Sequence, residues 1–182
     1  MRKKFIDKFM IDDRVRELAK MINRDYAHFE DRLCIVGVLR GAFIFLADLT
    51  RLLNIKHTVD FISIASYTRD ESGDVRLIMD TRTNIHGKHL LIVDDIVDSG
   101  KTMNYLVRLF RERGAVDVKT CAFLRKTSSN TNYPIDYYGF EISGTHWVVG
   151  YGLDYNDKYR TLPDIDIFDT SNLVPMCEDD LD

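Results

Sequence analysis

Three short apolar runs, separated by helix-like segments, restrict the fold of this chain more than any other feature. The runs are CIVGVL at 34–39, HLLIVDD at 89–95 and VKTCAFL at 118–124. A continuous apolar run of this length is typical of a strand covered on both faces, as in parallel sheets. Between the runs, apolar residues recur at helical spacing over 42–53 and 103–110. This alternation predicts an α/β fold, with a mainly parallel twisted sheet flanked by helices.

The remaining segments fit the same plan. Apolar residues at steps of three and four predict a helix over 11–29, and TVDFISIASY at 58–67 predicts another strand. The polar stretch 68–77 has no period, which indicates a mobile loop or an exposed hairpin. Beyond residue 130, aromatic residues crowd into 133–160.

Length and composition predict one globular domain over 1–182. The chain has 182 residues, 45% of them hydrophobic, and a net charge of −4. That charge gives no basic footprint for nucleic acid, and no apolar run is long enough to span a bilayer. Cys34, Cys121 and Cys177 have no zinc-type spacing and indicate free thiols in a reducing compartment, so we expect a cytoplasmic protein that binds neither membrane nor nucleic acid.

The stretch LLIVDDIVDSGKT, which begins at Leu90, resembles a phosphate-binding loop at its end only. A nucleotide-binding P-loop would need glycine at position 95, where this chain has Asp95. What remains is a strand, a short loop and a helix that starts near Lys101, whose N-terminal amides suit one phosphate monoester. Adjacent carboxylates at the strand end suit hydroxyls or a hydrated Mg²⁺. The pattern therefore predicts a site for a phosphorylated sugar.

A second interpretation of the same stretch is a receiver domain, in which an acidic pair holds Mg²⁺ beside a phosphorylated aspartate. In receivers that pair lies near the start of the domain, whereas here it lies midway along the chain. This is the weaker alternative.

The run LIVDDIVDSGKT resembles the signature of type I phosphoribosyltransferases, which bind 5-phosphoribosyl-1-pyrophosphate. The resemblance implies that Asp94 and Asp95 face the ribose hydroxyls with the help of Mg²⁺. It assigns the rest of the substrate loop, including the 5′-phosphate site, to Ile96, Ser99, Gly100, Lys101 and Thr102. Many relatives have glutamate where this chain has Asp94.

The acid at position 98 is a further resemblance, to the 6-oxopurine branch of that family, whose members have an acid at this point of the loop. When N9 of hypoxanthine or guanine bonds to the sugar, N7–H becomes acidic, and a nearby carboxylate can accept the proton. The resemblance therefore implies that Asp98 is the general base.

Trp147 and the run VVGYGLDYNDKYR at 148–160 resemble the hypoxanthine-guanine branch. They imply that Trp147 stacks on the base, that Val148 contacts the purine edge through its backbone, and that Asp154 faces a second Mg²⁺ through water. Arg160 would face the pyrophosphate. The metal residues implied are Asp94, Asp95 and Asp154.

Other parts of the family pattern are also present. GVLRGA at 37–42 matches the pyrophosphate loop, with Leu39, Arg40 and Gly41 and a non-proline cis peptide expected. The segment 66–77, which begins Ser66-Tyr67, corresponds to a mobile lid. A hood over the purine would comprise mainly 133–170 and the N-terminal segment. The family lysine near the purine 6-oxo group is assigned to Lys126, although a match without a gap puts Arg125 at that position.

The resemblance implies a cytoplasmic purine-salvage enzyme. It would transfer phosphoribose to N9 of hypoxanthine or guanine, giving IMP or GMP and pyrophosphate, with Mg²⁺ as cofactor. Relatives are dimers or tetramers, so we expect a homodimer or homotetramer. A regulator on the same fold that binds RNA is the main competing hypothesis.

Overall fold

The computed structural model describes residues 2–29, 32–66, 75–127 and 133–168. Its elements in chain order are β1 (Arg2–Ile6), α1 (Lys8–Tyr26), β2 (Leu33–Leu39), α2 (Phe43–Arg51), β3 (His57–Ser66), β4 (Val75–Met79), β5 (His89–Val97), α3 (Lys101–Glu112), β6 (Asp117–Thr127), β7 (Tyr137–Ser143), β8 (Val148–Val149) and β9 (Ile165–Phe168).

A six-stranded sheet in the order β4-β3-β2-β5-β6-β7 forms the centre of the protein. Strands β3, β2, β5, β6 and β7 are parallel, and β4 pairs antiparallel with β3 at the edge. The predicted α/β fold with a mainly parallel sheet is confirmed. The three apolar runs are β2, β5 and β6, the three adjacent strands at the middle of the sheet.

The helices cover both faces of this sheet. Helices α1 and α2 pack on one face with the inner residues of β2, β5 and β6, and α3 packs on the other face. The predicted face of α1 is buried from Ile11 to Tyr26, but the helix ends at Tyr26, short of the predicted Phe29. Its first turn is capped by Asp7, whose carboxylate accepts the Met10 N–H at 2.9 Å.

A second, three-stranded sheet has the order β1-β9-β8. Strand β1 pairs antiparallel with β9, from Arg2 opposite Phe168 to Ile6 opposite Ile165. The sequence did not predict β1, because only Ile6 of its five residues is buried and the strand has no apolar alternation. The pairing places the N-terminal segment beside the aromatic region near residue 168.

Most of the predicted lid, 66–77, lies outside the described residues, and with it Tyr67. The described ends are β3 and β4, which pair from Ser63 opposite Met79 to Ser66 opposite Val75. Residues 75–77 are therefore strand, as the hairpin alternative predicted.

Two further expectations concern the cysteines and membrane spans. Cys34 and Cys121 are buried free thiols, and Cys177 lies outside the described residues. No helix within the described ranges combines the length and apolar character needed to cross a bilayer.

The buried face of α3 provides a test of the fold. Leu106 is fully buried, so Leu106→Ala should lower the free energy of unfolding by about 2–5 kcal/mol through lost contacts and a cavity. Exposed Arg108 on the same helix is the matched control, and Arg108→Ala should change it by less than about 0.5 kcal/mol. Urea unfolding followed by circular dichroism measures both. Equal effects of the two substitutions would contradict this packing.

Candidate active site

The acidic run lies at the carboxyl end of β5, where the chain passes through a short loop into α3. Gly100 caps the helix with φ 73°, in the left-handed region that glycine adopts most readily. A side chain there would also collide with Tyr133, whose Cβ lies 2.5 Å from the position of an added Cβ. The Lys101 N–H donates to Ser99 Oγ at 3.4 Å. The predicted strand–loop–helix is therefore present.

A pocket of about 230 Å³ opens beside this loop. Its lining residues are Asp95, Ile96, Asp98, Lys126, Trp147, Val148, Leu153 and Asp154. All except Leu153 were predicted as site residues. Leu153 had only its position beside Asp154 as a signal, because a buried leucine after glycine resembles any core residue.

Of the two candidate basic residues of β6, Lys126 lines the pocket and Arg125 does not. The Nζ of Lys126 lies 3.0 Å from Asp98 Oδ2. Arg125 instead pairs with Glu141, and its guanidinium lies 4.4 Å from the centre of the Tyr138 ring. Successive residues of a strand point to opposite faces, so only one of the two can face the pocket.

Trp147 lines the pocket and belongs to a group of packed aromatic rings. Trp147 is half exposed, and its ring meets the Tyr155 ring edge-on at 6.0 Å. Tyr155 stacks on Phe168 with ring centres 4.6 Å apart, and the Phe168 N–H donates to the Trp147 carbonyl at 2.7 Å. Val148 is buried in β8. The second sheet therefore positions both predicted purine contacts.

The two adjacent carboxyl groups occupy different environments. Asp95 lines the pocket, whereas Asp94 is 6% exposed, lies outside the lining, and accepts the Asp95 N–H at 3.0 Å. Burial raises the pKa of Asp94 well above its usual range, and the neighbouring charge of Asp95 raises it further. Burial also raises the pKa of Asp95, although the positive charge of Arg160 opposes that rise.

The carboxylates at the pocket bear on the predicted metal site. Asp95 and Asp154 both line the pocket, but no group of three or more acidic, His or Cys side chains suited to a metal occurs among the described residues. Asp94, Asp95 and Asp154 therefore do not form one all-protein cage. Mg²⁺ commonly binds through one or two carboxylates plus substrate oxygens and water, so the donor set fits that ion.

The loop after β2 lies against Asp95. The Leu39–Arg40 peptide bond is cis, as expected. A Cβ added to Gly41 would lie 1.7 Å from Asp95 Oδ2, so any side chain at position 41 would displace that carboxyl group. Arg40 is largely exposed.

Arg160 is held within the segment that follows β8, and Asp157 joins that segment to the loop after β2. The Nη2 of Arg160 lies 2.8 Å from Asp154 Oδ1 and 3.0 Å from Asp157 Oδ1, and its Nη1 donates to the Gly152 carbonyl at 2.9 Å. Asp157 also pairs with Arg40 at 2.9 Å. Both arginines lower the pKa of Asp157, and the hydrogen bond from Arg160 has the larger effect. Asp157 was not among the predicted site residues, because its only signal in the sequence is that it is an acid three residues before Arg160.

Not every predicted residue borders the pocket. The predicted residues outside its lining are Leu39, Arg40, Gly41, Asp94, Ser99, Gly100, Lys101, Thr102 and Arg160. The Ser66 side chain and Tyr67 lie outside the described residues. The structure thus brings the predicted purine side together in one cavity and leaves the predicted phosphate contacts on adjoining loops.

Comparisons with known proteins agree with this arrangement. Residues 9–156 match the model of the phosphoribosyl transferase domain family. A hypoxanthine-guanine phosphoribosyltransferase of Dictyostelium discoideum is 40% identical over 159 residues, covering 84% of this chain and 87% of that protein.

Two solved structures are similar throughout. A hypoxanthine-guanine phosphoribosyltransferase of Bacillus anthracis, with HEPES in its active site, has a TM-score of 0.85 at 36% identity and covers 91% of this chain and 98% of its own. A hypoxanthine phosphoribosyltransferase of Trypanosoma cruzi, in complex with its product IMP, has a TM-score of 0.84 at 38% identity, covering 92% and 90%. These comparisons do not support the RNA-binding or receiver alternatives.

Because the carboxyl group of Asp94 is buried, we expect the free energy of unfolding to depend on pH. A raised pKa in the folded state means that ionisation of Asp94 destabilises the fold as pH rises above the ordinary value of about 4. Asp94→Asn, which cannot ionise, should therefore be more stable than the wild type at pH 8, and this gain should shrink toward pH 4.

Urea unfolding at pH 4, 6 and 8 measures the difference. Asp13→Asn, at an exposed position on α1, controls for the loss of one carboxylate and should give little dependence on pH. A gain of equal size at all three pH values would contradict the assignment of a raised pKa to Asp94.

Proposed function

The chain belongs to the hypoxanthine-guanine branch of the phosphoribosyl transferase family, and from this premise we propose that it transfers phosphoribose to N9 of hypoxanthine or guanine. The substrates would be phosphoribosyl pyrophosphate and the 6-oxopurine base, and the products IMP or GMP and pyrophosphate. The observation that carries the proposal is that Asp98, Lys126 and Trp147 line one pocket next to the acidic strand end.

The purine would occupy the space between Trp147 and the Asp98–Lys126 pair. The half-exposed Trp147 ring offers a flat apolar face to the base. The Lys126 ammonium group would donate to the 6-oxo group, and the Val148 backbone would contact the opposite edge. A lysine at this edge of the purine favours a base with a carbonyl at position 6, because the ammonium group of Lys126 can donate hydrogen bonds but cannot accept them.

Asp98 would act as general base. As the N9–C1′ bond forms and the bond from C1′ to pyrophosphate breaks, the N7 proton of the base becomes acidic and would pass to Asp98 Oδ2. The pairing with Lys126 at 3.0 Å supports this role, since the ammonium group keeps the carboxylate oriented toward the purine side.

The sugar phosphate would bind across the β5–α3 loop. The ribose hydroxyls would face Asp95, with Asp94 behind it, and the 5′-phosphate would accept from the amides and hydroxyls of 99–102 at the helix N-terminus. Asp94 and Asp95 would help to hold one Mg²⁺ at the ribose hydroxyls, and Asp154 would face a second Mg²⁺ through water; these ions would supply positive charge against the leaving pyrophosphate.

The pyrophosphate would leave toward Arg40, Gly41 and Arg160. Backbone N–H groups near Gly41 and the two guanidinium groups would stabilise the negative charge that develops as the bond breaks. The segment 66–77 would close over the pocket and exclude water, which otherwise could attack the activated sugar.

The cellular setting forms part of the proposal. The buried free thiols Cys34 and Cys121 suit a reducing compartment, and we place the enzyme in the cytoplasm. We also propose a homodimer or homotetramer, which size-exclusion chromatography with light scattering would measure.

The direct test is synthesis of nucleotide. Protein, Mg²⁺ and phosphoribosyl pyrophosphate are mixed with hypoxanthine, guanine or xanthine in separate reactions, and nucleotide formation is followed by absorbance and chromatography. Formation of IMP or GMP is expected. Absence of nucleotide from both hypoxanthine and guanine would refute the proposed reaction.

Asp98→Asn tests the general base. Because the amide cannot accept the purine proton, kcat should fall about 10²–10⁴-fold, while binding of phosphoribosyl pyrophosphate, measured by calorimetry, stays unchanged. Normal turnover in this variant would remove Asp98 from the role.

The neighbours Lys126 and Arg125 provide a matched pair for purine recognition. Lys126→Met should raise the KM for the base by on the order of tenfold, because a charged donor is lost from the pocket. Arg125→Met should change that KM less than about twofold, since Arg125 pairs with Glu141 instead. A larger rise in KM for Arg125→Met than for Lys126→Met would instead identify Arg125 as the purine contact.

A further inference from the structure

Asp157 has no task in the proposed function, yet it contacts both arginines that we assign to pyrophosphate. Its Oδ1 lies 2.9 Å from Arg40 Nη2 and 3.0 Å from Arg160 Nη2. One carboxylate oxygen therefore bridges two guanidinium groups from segments that are far apart in the sequence.

The backbone presents this carboxylate on a tight turn. Asn156 and Asp157 have φ values of 50° and 59°, in the left-handed region that is uncommon outside glycine and that Asn and Asp tolerate best. Tyr155 and Lys158 exchange two backbone hydrogen bonds of 3.1 Å across the turn, and the Asp157 N–H donates to Asp154 Oδ2 at 2.8 Å. The position of Asp157 is thus set by the same segment that carries Asp154 and Arg160.

The contacts of Asp157 are those of an exchangeable ion pair. The Asp157 and Arg40 side chains are 60% and 68% exposed, so water and salt weaken their attraction. Arg160 is only 18% exposed and also keeps its contact with Asp154. If the Asp157 carboxylate turns away, two guanidinium groups with free donors remain side by side, which is an arrangement suited to a diphosphate.

We infer that Asp157 is an internal counter-anion, which occupies Arg40 and Arg160 until pyrophosphate displaces it. The inference rests on the proposed function, because it takes the two arginines as the pyrophosphate site. Asp157 then weakens the hold of the enzyme on pyrophosphate and favours its release. It is a positioning residue, since it acts on the arginines and does not touch the reacting atoms.

Pyrophosphate binding tests this role directly. Pyrophosphate is titrated by calorimetry in MgCl₂ into the wild type, Asp157→Asn and Asp13→Asn. Removing the competing carboxylate should lower the Kd of Asp157→Asn by about three- to tenfold. The inhibition constant of pyrophosphate in nucleotide synthesis should fall by the same factor. Asp13 pairs with Arg16 at 3.0 Å on the exposed side of α1, so Asp13→Asn removes a similar ion pair and should bind like the wild type.

A second arginine variant separates competition from a general change in charge. In an Arg40→Gln background, Asp157→Asn should still lower the Kd, but by a smaller factor than in the wild-type background, because the pair with Arg40 is gone and only the pair with Arg160 remains. If Asp157 only stabilised the turn at 155–158, Asp157→Asn would weaken pyrophosphate binding. Tighter pyrophosphate binding by this variant therefore indicates competition for the arginines.

The outcomes distinguish this inference from the proposed function. A wild type that binds pyrophosphate, together with an Asp157→Asn variant that binds it equally or more weakly, would overturn the inference alone. A wild type that neither binds pyrophosphate nor forms nucleotide would refute the proposed function and this inference with it.

Discussion

The burial of two adjacent carboxyl groups at the end of strand β5 is the constraint around which the site is arranged. Residues 90–93 of that strand are fully buried, and the chain then continues directly into Asp94 and Asp95. Desolvation raises the pKa of both groups; the charge of Asp95 raises that of Asp94 further, whereas the side-chain hydrogen bond with Asp94 opposes the rise at Asp95. Such a pair is stabilised by a cation or by hydroxyl donors, which explains physically why this end of the sheet suits a magnesium ion and a sugar diol.

The parallel sheet brings the other parts of the site to the same edge. Strands β2, β5 and β6 are neighbours, so the loop at 39–41, the acidic pair and Lys126 all lie at their carboxyl ends. The contact between Gly41 and the Asp95 carboxyl group is so close that the loop after β2 must lack a side chain at that point. The second sheet then adds Trp147 and Val148 from the opposite side.

The charged groups of the site are paired with one another in a way that substrates can replace. Asp98 is 60% exposed although its partner Lys126 is 14% exposed, so the pair is open to solvent on the acid side. Arg160 likewise holds Asp154 and Asp157 together. Internal pairs of this kind keep the desolvated charges compensated before substrate arrives, and each can be exchanged for a stronger contact with a phosphate or a purine.

The sequence by itself determined the central strands, the helix faces and the strand–loop–helix with its acidic pair. These depend on local periodicity and on neighbouring residues, which the order of amino acids displays directly. Strand β1 was not predicted because it is an exposed edge strand whose partner, β9, lies some 160 residues away in the chain. The choice between Lys126 and Arg125 as the pocket residue, the burial of Asp94 behind Asp95, and the bridge from Asp157 to two arginines were decided by the tertiary structure alone. Each depends on which segments distant in sequence meet, and on which side of a strand a side chain leaves, neither of which local patterns contain.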